Sequence, residues 1–389
     1  MMGCSTEAYF SGASCLMKLG RQRVAFVLAF ALACTAGLLA QQPPPQQKDK
    51  KQDDAQKKEI QSVVKVVDDV AAGQPAPNDF DIKWVREDVL KAQGNKEYVP
   101  FTVSMDPSKV TGGNVAFYWR VVAKGAAPTE TAAATTGQKK DDKKDKDKDK
   151  KKPEYAYEDI SFVPTSSQSA PMRISRSFTV PAGQYDVYIV AKEPSPDKPP
   201  KNAPAQKMSV LKQTVTVPDF WNGDLNTSSV IVAQRIDPLP APLTPQQQAD
   251  RPYAMGSMEI VPAFDTKFSK KAELSTFMLI YNPKVDSANK PDVLIEYNFC
   301  QTAAGADPPK PGEPCKAGEK FFNKTNPQNL NAQTLPPNFD FAAGHQLQSG
   351  QAVPLASFPE GQYRLEIKVT DKLASKTLTR DVNFTVGPS

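Results

Sequence analysis

A single histidine, His345 in FAAGHQLQSG, is all the imidazole this 389-residue chain holds. Imidazole is the commonest general base and metal ligand, so most hydrolytic and metal chemistries lose their usual centre. The patterns that cradle phosphate or a dinucleotide, hold zinc on a helix or raise a nucleophilic serine are absent. Cys300 and Cys315 have no second pair to complete a zinc tetrahedron. Carboxylates are plentiful but scattered, whereas paired-carboxylate catalysis needs two groups held roughly 5–10 Å apart. Glu296 and Glu366 fall at outward positions of alternating stretches, which predicts solvated groups. No catalytic residue, cofactor or metal is expected, and the chain reads as a non-enzyme.

Two other stretches could bind rather than react. PDFWNGDL places Phe220 and Trp221 beside Asn222-Gly223. They read either as a plug at a domain junction or as an aromatic platform for a sugar or peptide. The run at 139–152 holds nine Lys and five Asp. Its charges are interleaved, it has no ring to stack on bases, and its lysines oppose calcium binding at its aspartates. It reads as a solvated loop, with disorder expected near 125–155. The formal charge is +5; this run carries +4 and residues 1–40 carry +2, so the remainder is −1. A nearly neutral globular part argues against a nucleic-acid partner.

Residues 1–40 read as an export signal. Arg21 and Arg23 precede the apolar run from Val24 to Leu39, and Leu38-Leu39-Ala40 suits cleavage. Met17-Lys18 would make a more ordinary start. The apolar run is short for a spanning helix, so no transmembrane span is expected after cleavage. A lipoprotein anchored through Cys34 is the alternative. Cleavage after Ala40 removes Cys4, Cys15 and Cys34. An even pair then remains in an oxidising compartment, and Cys300 and Cys315 are expected to form a disulfide.

These residues need elements to hold them. Residues 41–77 read as a disordered leader through residue 58, then a short amphipathic helix over 59–72. Ile60, Val63, Val64, Val67 and Val70 recur at helical spacing there. That helix either packs on the first domain or binds a partner. From about Asp79 the period changes to two. Val115, Phe117, Trp119 and Val121 alternate with other residues, as do Val293, Ile295, Tyr297 and Phe299. Asp106-Pro107 and Asn282-Pro283 lie 176 residues apart, and Gly183 and Gly361 lie 178 apart. The halves are an internal duplication at domain scale. Glycine and proline between short strands predict β-sandwiches, one over 78–219 and one over 255–389, with a linker and a first strand over 220–254. The strand after Tyr185 alternates less cleanly than the one after Tyr363, which predicts that its outer face is covered by the valine-rich helix.

VPAGQYDVYIV with KQTVTV, and FPEGQYRLEIKV with TRDVNFTV, resemble the last strands of immunoglobulin-like and fibronectin-III-like domains. That resemblance assigns a tyrosine-corner role to Tyr185 and Tyr363, each hydroxyl bonding back to nearby backbone. DLNTSSVIVAQRI, MEIVPAF and ELSTFMLIYN are similar to the Ig-like portion of exported bacterial proteins of the GWxTD type, over roughly residues 78–389. The Gly-Trp-x-Thr-Asp signature itself is absent. The expected fold is therefore all-β: two tandem Ig-like sandwiches behind a leader and a short helix. The expected role is non-catalytic adhesion, scaffolding or binding in the periplasm or outside the cell, to an envelope protein or a glycan. A carbohydrate-binding module is the first alternative, and an accessory to a secreted hydrolase is the second.

Overall fold

The computed structural model describes residues 50–124, 155–165, 170–194, 205–305, 308 and 312–388, with backbone alone for 50–58. The expected export signal, Cys34, the leader ahead of residue 50 and the Lys/Asp run lie outside these residues. Among the described residues, no helix is long and apolar enough to cross a membrane.

The first helix, α1, spans Lys50–Ala71. It begins inside the stretch expected to be disordered. KKQDDAQKKE has no apolar stripe, but Lys, Gln, Glu and Ala are strong helix formers. Propagating an existing helix is far easier than nucleating one, and Val63 and Val67 anchor the helix downstream. Gly73, at φ +96°, ends it in the left-handed conformation that glycine adopts without strain.

The first half then forms β1 (Lys83–Glu87), β2 (Leu90–Lys91), β3 (Glu97–Met105), β4 (Asn114–Ala123), β5 (Tyr157–Pro164), β6 (Met172–Val180), β7 (Gly183–Lys192) and β8 (Met208–Val217). The second half forms β9 (Asn226–Thr227), β10 (Ile231–Pro238), α2 (Pro245–Asp250), β11 (Ala254–Met255), β12 (Met258–Pro262), β13 (Lys267–Ser269) and β14 (Glu273–Tyr281). It continues with β15 (Val293–Thr302), β16 (Glu319–Lys324), β17 (Gln328–Leu330), β18 (Leu347–Pro354), β19 (Gly361–Asp371) and β20 (Lys376–Gly387). Among the described residues the protein is all-β apart from α1, α2 and a 3-10 turn at Pro107–Lys109. Residues 220–254, read as a linker and a strand, hold β9, β10 and α2.

Four sheets result. Sheet I runs β5-β4-β7-β8, and sheet II joins β1, β2 and β6 to β3. Sheet III runs β11-β12-β10-β14-β18, and sheet IV runs β13-β20-β19-β15-β16 with β17 also on β15. The duplication keeps its register. Trp119 pairs with Ile189 across β4 and β7, and Tyr297 pairs with Ile367 across β15 and β19. In each copy the glycine-x-tyrosine strand lies between the same two neighbours.

The core shows how the copies join. Val99, Phe101 and Val103 of sheet II meet Phe117, Trp119, Val187 and Ile189 of sheet I in one buried cluster. Leu274, Met278 and Ile280 of β14 join a second cluster with Tyr297, Phe299, Leu365 and Ile367 of sheet IV. The alternate β14 residues Phe277, Leu279 and Tyr281 join the first cluster instead. β14, in the middle of sheet III, is thus buried on both faces, so the two sandwiches share apolar packing. A polar lock seals the junction. Tyr253 Oη donates to Asp88 at 2.8 Å, and Arg86 holds the same carboxylate through two nitrogens at 2.7 Å each. Tyr281 Oη accepts from the Lys91 N–H at 3.0 Å.

At the far side of sheet I, Val63 and Val67 of α1 pack on Tyr118, Tyr188, Val190 and Val210. Burying one such valine contributes about 1.5–3 kcal/mol. Two ion pairs orient the helix: Glu59 to Lys192 and Asp68 to Arg120, each at 2.6 Å. Lys192, Glu59 and Arg120 are buried. α1 therefore covers the middle of the outer face of sheet I, over β4 and β7, while Phe162, Lys212 and Thr214 on the flanking strands stay exposed.

Candidate functional site

The equivalent outer face, on sheet IV, is open. Inward residues of β15 and β19 fill the second core, so alternation turns Glu296, Asn298, Glu366 and Lys368 outward. Ladder register sets them in rows. Lys324, Asn298 and Glu366 lie side by side across β16, β15 and β19. Glu296 faces Lys368 in the next row, with their charged groups 3.5 Å apart. Two rows correspond to positions of copy one that α1 covers. Asn298, opposite Glu366, stands where Arg120 faces Tyr188. Where copy one offers tyrosine and valine to a helix, copy two offers charge and amide to solvent.

A wall rises beside these rows. Cys300 and Cys315 are bonded, with Cα atoms 5.6 Å apart, so the loop before β16 is tied to the face of β15. Arg364 is the second rivet. It donates to the Pro314 carbonyl at 2.8 Å, to both Glu319 oxygens at 2.8 and 2.6 Å, and to Asp381 at 2.7 Å. The Arg364 hydrogen bonds hold the Glu319 carboxyl below the usual range. Against the cost of its own burial, hydrogen bonds from Lys316 and Arg364 hold the Asp381 carboxyl low as well. The same contacts raise the Arg364 guanidinium still higher.

Wall and rows enclose a cleft of about 650 Å³, whose lining includes Phe321, Asn298, Lys324, Glu296, Glu366 and Lys368. Phe322 turns inward onto Phe358 and Tyr363, so Phe321 must turn outward, where it is 46% exposed. Asn298 is only 9% exposed as a residue, but its carboxamide atoms are not sealed from solvent, and they bond to no side chain or backbone group among the described residues. A primary amide offers two donors and an acceptor. Cys300, Cys315 and Glu319 bring three potential ligand atoms together, but the sulfurs are bonded to each other and supply no thiolate.

The residues singled out from sequence lie elsewhere or act as supports. Tyr363 Oη donates to the Pro359 carbonyl and Tyr185 Oη to the Pro181 carbonyl, each at 2.8 Å. Gly361, at φ +149°, leads into the first of these, and a Cβ there would meet Gln301 Nε2 at 3.1 Å. Phe220 is 2% exposed and packs on Tyr281 at 4.9 Å between centroids, so it offers no platform. Trp221 is 39% exposed, but the Lys91 ammonium sits 4.2 Å from its centroid and its indole N–H donates to the Lys96 carbonyl. The pair plugs the junction. Trp119 is core, and Trp84 stacks on Phe101 at 5.1 Å. His345 accepts from the Asp340 N–H in its own loop. Glu296 and Glu366 do face outward, but into the cleft. Sequence reasoning missed Asn298, Phe321 and Lys324. A usable signal was there: two adjacent phenylalanines in a strand point to opposite faces, so one of Phe321 and Phe322 had to face out.

No protein-family model matches the chain, and no curated protein matches it. Among solved structures it is similar to Escherichia coli alpha-2-macroglobulin activated by porcine elastase, at 11% identity over 77% of this chain and 22% of that one, with a TM-score of 0.21. It is also similar to a Salmonella alpha-2-macroglobulin mutant, at 9% identity over 81% of this chain and 17% of that one, with a TM-score of 0.19. This chain spans less than a quarter of the length of either. Likeness at those scores carries no inference for this protein.

Proposed function

We infer that this is an exported, non-catalytic recognition protein, a stiff two-sandwich body that presents the outer face of sheet IV to a ligand. The Asn298 amide, on a residue held nine-tenths buried yet with its polar atoms open to the cleft and bonded to no described residue, carries this reading. The amide is claimed by no described residue and stays open to the cleft, so a ligand that bonds it replaces water on a group already held in place. The surroundings support the same role. The wall is fixed by a disulfide and a buried arginine, so the site is pre-organised and little ordering entropy is lost on binding. The shared core keeps the cleft at a fixed distance from α1, which suits a scaffold as well as a binder. The experiment is capture from the native envelope fraction by wild-type protein and by Asn298→Ala, run beside a broad hydrolase panel. Capture that drops with the substitution, without turnover, is the expected result. Turnover, or capture indifferent to Asn298, overturns the reading.

A further inference from the structure

We propose that the cleft on sheet IV binds an uncharged or zwitterionic saccharide, a proposal that rests on the reading of this face as a recognition surface. The lining supplies three kinds of contact in one row system. Phe321 offers an exposed aromatic face, which suits the apolar C–H side of a pyranose ring. Asn298 offers donors and an acceptor, Glu296 and Glu366 offer acceptors, and Lys324 and Lys368 offer donors. Sugar hydroxyls both donate and accept, so such a mixed set satisfies them in a way that a row of cations or of apolar groups does not.

Charge narrows the class further. Three carboxylates, Glu296, Glu313 and Glu366, line the cleft with two ammonium groups, Lys324 and Lys368; Arg364 lies 3.6 Å from Glu366 and evens the count, and Glu296 and Lys368 already pair with each other. A polyanion would meet Glu296 and Glu366, and a polycation would meet Lys324 and Lys368. A neutral glycan, or one carrying both an amine and a carboxylate, meets neither penalty. The volume lies in the range of small-molecule sites. The edge strand β16 keeps one side of its backbone unpaired, but the lining groups stand on the sheet face rather than along that edge. Strand addition needs a free edge, and the cleft lies on the face.

This site is distinct from the aromatic pair at the junction. Phe220 is enclosed and Trp221 is covered by Lys91, so a sugar-binding protein of this sequence would use Phe321 instead.

The test is a printed array of neutral, amino-sugar and acidic oligosaccharides probed with the full chain, followed by calorimetric titration of the strongest neutral or zwitterionic binder. Phe321 is exposed and Asn298 sits nine-tenths buried on the outer face, and melting curves establish that Phe321→Ala and Asn298→Ala are each folded. Binding at least tenfold weaker in both variants, and unchanged in Trp221→Ala, is the expected result. Binding lost in Trp221→Ala but kept in Phe321→Ala overturns the location. Binding confined to acidic glycans overturns the ligand class. If no glycan binds while envelope capture still depends on Asn298, the saccharide is wrong and the recognition face stands. If capture is also indifferent to Asn298, both fail together.

Discussion

Leu279 is the residue on which the joining of the two sandwiches can be judged. It lies in β14, in the second half of the chain, yet its side chain belongs to the core cluster of the first half and is 2% exposed. In an isolated second sandwich, the outer face of sheet III would be wet, and Leu279→Ala would change stability by no more than about 0.5 kcal/mol. With the face buried against the first sandwich, the same change deletes packed methyl groups and leaves a cavity, costing about 2–5 kcal/mol. The assay is urea unfolding followed by tryptophan fluorescence. All three tryptophans, Trp84, Trp119 and Trp221, precede sheet III, so fluorescence reports the first sandwich and the junction. The joined core predicts that a change in β14 moves the tryptophan transition, by roughly 1 M urea for a slope of a few kcal/mol per molar. It also predicts that circular dichroism follows the same curve. A tryptophan transition that stays in place, with an earlier separate loss of β signal, would refute the shared core.

Three further outcomes follow from the same geometry. Glu97 is buried at the junction, with one oxygen accepting from the Phe220 N–H and the other unpaired; burial raises its pKa above the usual value. Its contribution is therefore full below the unfolded pKa and is lost as pH rises through the folded one, so stability should rise on mild acidification from neutral pH. Glu97→Gln should flatten that slope in chemical melts at several pH values, and an unchanged slope would count against it. Glu319 and Asp381 are shifted the opposite way, so their support of Arg364 is present above the unfolded carboxylate range and fails as pH falls through their lowered values. Hydrogen exchange in β16 should accelerate there before exchange in β4 does. Tyr363→Phe should cost about 0.5–1.5 kcal/mol, the low end for a lost hydrogen bond, because the Pro359 carbonyl is at the surface and water can replace the phenol. Tyr185→Phe, with the same bond length to an equally exposed Pro181, should match it in thermal melts.

The fold was legible where alternation was clean. Val293, Ile295, Tyr297 and Phe299 point to one face in sequence and are buried on one face in space. The offset of 178 residues between the two glycine-x-tyrosine strands is the offset between their paired partners. The start of α1 was misread because helix propagation from an anchored segment needs no apolar residues of its own. Burial of both faces of β14 was written in FMLIY, an unbroken apolar run rather than an alternating one, but a single run does not say what covers it. The candidate cleft was the least legible part. Asn298, Lys324, Glu366 and Phe321 come from three strands separated by up to 68 positions, and only the ladder registers set them in adjacent rows. Aromatic residues close together in sequence, Phe220 and Trp221, drew attention instead, and packing at the junction consumed them.

Recognition through the cleft requires that the face of sheet IV be occupied in its native setting. Hydroxyl-radical footprinting of the full chain, with and without the native envelope fraction, reads this at single residues. Phe321, at 46% exposed, should lose most of its reactivity when the fraction is present, while Phe162, at 42% exposed on the edge of sheet I, should keep its own. Equal reactivity of Phe321 in both samples, or protection of Phe162 instead, would contradict the claim that the cleft on sheet IV is the recognition site.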